Sequence, residues 1–157
     1  MAMSKRRSVG EFFRQSGAIA LSFLAFAPVF LVGLSKAPTV EGALPTEREY
    51  YLYSPSSQAY IAQTYGVEEM FSVTGECAKY TFDTRAQAER FIQSLQKEWG
   101  AKVRFVEEVC GITSYYCYSP RLFGGVCLQG QSVNLHIAVK ADGRSVAVAS
   151  PLIFGGY

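Results

Sequence analysis

The order of elements along this chain predicts an α+β fold: an antiparallel β-sheet with one long amphipathic helix packed on a face, behind an N-terminal transmembrane or signal segment. Three observations carry that expectation. An apolar run follows a basic head, a central stretch repeats its apolar residues at helical spacing between two caps, and the stretches after it alternate apolar and polar residues with period two.

Residues 1–17 form the basic head. Residues 1–36 hold Lys5, Arg6, Arg7, Arg14 and Lys36 against Glu11, a local net of 5 − 1 = +4; of the chain's 15 bases and 13 acids this leaves 10 and 12 elsewhere, a net of −2. The overall +2 therefore marks topology instead of a polyanionic partner. Ala18 to Leu34 is apolar apart from Ser22, with Pro28 and Gly33 as its breakers. As a helix it spans about 25 Å, near the lower limit for crossing a bilayer and slightly long for the core of a cleavable signal. A retained anchor and a removed signal both stay open. Either way the basic head stays inside and everything after Lys36 is exported, to the outer face of the cell membrane or into the medium.

Residues 35–65 mix Pro38, Pro45 and Pro55 with serines, charges and five tyrosines, which reads as a linker or arm. The exported domain, 66–157, becomes regular from Phe71. Phe71 to Phe82 is strand-like, with a bulge or break expected at Gly75. Asp83 and Thr84 open a helix, and Thr84 with Gln87 forms a capping box. Ala88, Phe91, Ile92, Leu95 and Trp99 line one stripe, and Gly100 ends it. Lys102 to Val109 and Ile112 to Ser119 follow as strands about Gly111, then a short strand at Val126 to Leu128. Ser132 to Val139 alternates Val133, Leu135, Ile137 and Val139 against Asn134, His136 and Ala138, as in a sheet with one buried face. Asp142 and Gly143 form a two-residue turn that sets Val139 opposite Val146 and Ile137 opposite Val148.

At this hairpin, Val133 to Val139 and then Val146 to Ile153, the chain resembles the C-terminal end of the YwmB-type family of exported Firmicute proteins. The family shows a similar Asn-Leu-x-Ile-Ala strand, then an alternating Val strand ending in a small residue, Pro and an aliphatic. With the helix stripe included, the resemblance covers residues 71 to 157. It implies a fold similar to the TATA-box-binding protein and an exported protein of endospore-forming bacteria with unassigned activity, for which a role during sporulation is the expectation. DNA binding does not follow: a net charge of −2 on the exported part supplies no surplus of cations for phosphate.

The chemistry is sparse. Cys77, Cys110, Cys117 and Cys127 all lie in the exported part, where disulfides are allowed and three pairings are open; Cys117 with Cys127 across a hairpin leaves Cys77 with Cys110. Their spacing matches no zinc site. His136 is the only histidine, so metal and imidazole chemistry have no second ring to use. Glu68-Glu69 and Glu107-Glu108 are neighbours that point to opposite faces of a strand, not couples across a substrate. Gly124 and Gly125 precede no helix, so no phosphate or cofactor motif is present. Tyr116 and Tyr118 share a strand face, and with Asn134 and His136 they make the candidate binding face. The leading expectation is a non-catalytic envelope module whose sheet face or strand edge binds a protein or envelope polymer. A thiol-redox or hydrolytic enzyme using Cys117 or His136 is the alternative.

Overall fold

The computed structural model describes residues 38–53, 60–66, 68–69 and 72–155. The basic head and the apolar segment 18–34 lie outside the described residues. No helix among the described residues is long and apolar enough to cross a membrane.

The architecture is α+β, with a large antiparallel sheet and one helix packed on it. Among the described residues, nine strands, β1 (Glu47–Leu52), β2 (Tyr60–Ala62), β3 (Val73–Thr81), β4 (Lys102–Val109), β5 (Ile112–Tyr118), β6 (Val126–Leu128), β7 (Gln131–Val133), β8 (Leu135–Val139) and β9 (Ser145–Ser150), flank the helix α1 (Arg85–Trp99). Seven of them form one sheet in the order β2-β1-β3-β9-β8-β5-β4, while β6 and β7 make a separate hairpin.

α1 forms as its sequence dictates. Thr84 Oγ1 accepts from Gln87 N and Gln87 Oε1 accepts from Thr84 N, closing the capping box. Gly100 takes the left-handed conformation at φ 60°, which costs glycine nothing, and the chain leaves the helix there. Ala88, Phe91 and Leu95 are buried against the sheet, with Ile92 and Trp99 half-buried beside them. Their partners are the side chains that β3, β9, β8 and β5 turn to this side: Ala78, Tyr80, Val146, Val148, Leu135, Ile137 and Cys117. Trp99 Nε1 donates to Thr39 O at 3.0 Å, tying the start of the described chain to the end of the helix.

The β8–β9 register is the expected one, with Val139 opposite Val146 and Ile137 opposite Val148. The turn is longer than two residues. Lys140 N still donates to Ser145 O, and Asp142 Oδ1 accepts from the amides of Arg144 and Ser145 inside a four-residue loop. Those bonds hold the Asp142 carboxyl down at about 2.

Two expectations need correction. Within the expected arm, Glu47–Leu52 and Tyr60–Ala62 are β1 and β2, strands of the main sheet. β1 earns its place by charge as well as apolar area: Arg48 pairs with the buried Glu76, and Glu49 and Glu47 hold Lys79 of β3. The strand expected over 132–139 is two, broken at Asn134. The irregularity near Gly75 is present, between Tyr51 and Leu52 on the neighbouring β1. Gly75 itself is required by a close approach, since a Cβ there would stand 2.4 Å from Ser150 O.

Candidate functional site

The face of the sheet away from α1 carries Tyr116, Tyr118 and His136, while Asn134 sits at the break between β7 and β8. One row runs across six strands: Glu49 of β1, Cys77 of β3, Ala149 of β9, His136 of β8, Tyr116 of β5 and Phe105 of β4. Its last three rings stack. Phe105 and Tyr116 are 4.5 Å apart between centroids and Tyr116 and His136 4.4 Å, both nearly parallel.

Two segments cover this face. Residues 151–155 turn back across it, so that Ile153 N donates to His136 Nδ1 at 3.3 Å and Phe154 N to the Tyr51 hydroxyl at 3.2 Å. Phe154 meets the Tyr51 ring edge-on at 5.0 Å. The β6–β7 hairpin folds over from the other side, and Gln129 at its tip donates to Glu107 of β4 at 3.0 Å. Accepting at Nδ1 makes His136 a neutral ring protonated at Nε2. That nitrogen is buried without a hydrogen-bond partner, and burial pushes the ring's pKa down to about 4.

Two residues of the expected face are therefore covered, while Tyr116 and Tyr118 stay half-buried. His136 is 5% exposed and Asn134 1%. Asn134 is a structural knot: its Oδ1 accepts from Ser119 N at 2.7 Å, and its Nδ2 donates to Ser119 O at 2.8 Å and Leu122 O at 3.0 Å. Both of its amide donors and one acceptor position hold the loop after β5, so the side chain is fixed in place. Tyr116 is sandwiched in the ring stack, and Tyr118 is half-buried with the Arg104 guanidinium 5.2 Å over its ring. The alternating pattern of β8 misled here because both of its faces are covered.

All four cysteines are free thiols, and the expected pairs Cys117–Cys127 and Cys77–Cys110 are not formed. Cys117 points into the core beneath α1, while Cys127 is exposed on β6 opposite Ser132. Cys77 lies on the other side of the sheet from Cys117, in the small cluster with Tyr51, Ala147 and Ala149. Cys110 stands exposed in the turn between β4 and β5, several strands from Cys77 and so beyond the roughly 7 Å that a disulfide spans between Cα atoms. Burial pushes both inner thiols up to about 11. Cys77 meets the Tyr51 hydroxyl and lies opposite Glu49, whose negative charge raises the thiol's pKa further, while Cys117 donates to Tyr115 O.

Two hollows stay open beside this row: one of about 260 Å³ at the β4–β5 end, lined by Glu107, Cys110, Ser114 and Tyr116, and a cleft of about 320 Å³ one row further along the strands. Ala138 and Ala147, opposite each other on β8 and β9, lie at its base, and Thr46, Glu47, Lys79, Thr81, Lys140 and Ser145 stand around it. Lys79 Nζ sits between Glu49 Oε1 at 2.7 Å and Glu47 Oε2 at 3.4 Å. Burial works against its charge, but these carboxylates outweigh that and raise its pKa. The sequence contained a signal for this cleft: Ala138, Ala147 and Ala149 keep the second face of β8 and β9 small, as a surface must be where chain or ligand lies close. Among the described residues, no group of three or more His, Cys, Asp or Glu side chains is placed to hold a metal.

Comparison with known proteins adds no relative: no family model matches the chain, and neither a curated protein nor a solved structure does.

Proposed function

We propose that the chain is a non-catalytic module of the cell envelope, exported or held at the membrane by residues 18–34, which binds a protein segment or an envelope polymer in the cleft over Ala138 and Ala147. The cleft carries this reading, being a polar-rimmed concavity on a face that residues 151–155 and the β6–β7 hairpin cover in part. Its rim combines hydroxyls, a carboxylate and two ammonium groups, the mixed polar set that fixes orientation in binding sites. Support against the thiol and imidazole alternative comes from Cys117 and His136, the first sealed under α1 and the second neutral and covered. The basic head and apolar segment support the location, and the likeness of the β8–β9 hairpin to the YwmB-type family supports a role in endospore formers.

Substitution at the rim tests the cleft. Thr81→Arg and Lys140→Glu leave the base intact, and each is expected to lower capture of solubilised envelope protein or purified wall polymer by about five-fold, equivalent to about 1 kcal/mol. Thermal midpoints within about 2 °C of wild type show that the fold is retained. Capture of the same partners at wild-type levels by both variants rules the cleft out as the binding surface.

A further inference from the structure

The sheet ends at β4, and that edge has a pattern of its own. We propose that β4 pairs with β4 of a second copy of this chain, antiparallel, so that two sheets join into one. β4 is eight residues long and hydrogen-bonded on one side only, to β5. Three valines along it face solvent, Val103 at 44%, Val106 at 49% and Val109 at 63% exposed. Edge strands of this length are normally protected, and charges of one sign do so by repelling a second copy. Here the charges are divided by sign along the strand. Lys102 and Arg104 occupy its first half, Glu107 and Glu108 its second.

That division selects both partner and direction. Antiparallel alignment about the middle of the strand sets the basic half of each copy against the acidic half of the other, whereas parallel alignment sets like against like. Arg104 and Glu107 lie on the same side of the sheet, Arg104 over the Tyr118 ring and Glu107 opposite Ser114. Among the described residues, Lys102 and Glu108 have no ion-pair partner within the chain. Glu107 accepts from Gln129 through its side chain, which leaves the backbone edge uncovered by that contact. The pairing also closes. A two-fold contact uses the same edge from both copies, and the opposite edge, β2, is only three residues long.

The inference is independent of the cleft, which lies on the face of the sheet and not on this edge. Its test is charge exchange between two differently tagged full-length chains, co-expressed and purified in a mild detergent. Wild-type copies are expected to co-purify. Two copies of K102E/R104E, or two of E107K/E108K, are expected to lose co-purification by at least ten-fold, and the acidic variant mixed with the basic one is expected to restore it. Val106→Lys, which adds like charge at the centre of the contact, removes association without exchanging any charge. Circular dichroism matching wild type establishes that each variant is folded. Wild-type copies that do not co-purify, variants that associate as wild type does, or a mixed pair that stays apart would each overturn the proposal.

Discussion

At the scale of single residues, burial decides what His136 does. An unfolded chain takes up a proton on this ring near pH 6.5, whereas the folded chain holds it neutral down to about 4. Above the first value both states are neutral and the residue leaves stability independent of pH. Below it only the unfolded state binds the proton, so folding stability falls with falling pH until the folded ring titrates as well. Over that window the loss is on the order of 3 kcal/mol. His136→Phe keeps a ring against Tyr116 and removes the titration. Urea unfolding at a series of pH values should show the wild-type-to-variant difference drifting by about that amount between pH 7 and pH 4; a constant difference would place His136 in contact with solvent. Below about pH 4, where the folded ring itself takes up a proton, Nδ1 turns from the acceptor for Ile153 N–H into a donor, and residues 151–155 loosen.

Among the elements, Gly75 shows how one position holds three strands in place. It pairs with Tyr51 of β1 and lies against Ser150 O and Pro151 at the end of β9. Gly75→Ala places a methyl where the carbonyl stands, and one strand must move aside, at a cost of about 2 kcal/mol read as a lower urea midpoint. α1, β4, β5 and the β8–β9 pairing were legible because their periodicity is local: the stripe from Ala88 to Trp99 and the alternation around Ile137 contain their own evidence. β1 was not. Its Glu47, Arg48 and Glu49 look like a solvated stretch until Lys79 and Glu76, some thirty residues on, arrive as partners. The candidate face failed for the same reason, since Asn134 and His136 lie on the polar-looking side of an alternating strand. What covers them is the loop after β5 and residues 151–155, contributed from elsewhere in the chain.

At the scale of the whole molecule, the four thiols divide two and two. Cys110 and Cys127 are exposed and should react with a maleimide within minutes in the native protein, while Cys77 and Cys117 should react only in denaturant. Counting labels by mass gives two additions in the first case and four in the second; a thiol that labels only after reduction would show a disulfide instead. The sheet itself consists of a group β2-β1-β3 and a group β9-β8-β5-β4, joined only where β3 meets β9. Thr81 lies opposite Ser145 there, and Glu76 opposite Ser150, so the seam links parts of the chain that are far apart in sequence. Contacts this distant form late, which places the domain among slowly folding proteins. While the chain is being made, β3 is complete long before β9 exists, and one side of it waits without a neighbour. A molecule folding as it emerges thus passes through a stage with a nine-residue strand unprotected, and it is in that interval, before Ser145–Ser150 arrives, that it is most exposed to aggregation.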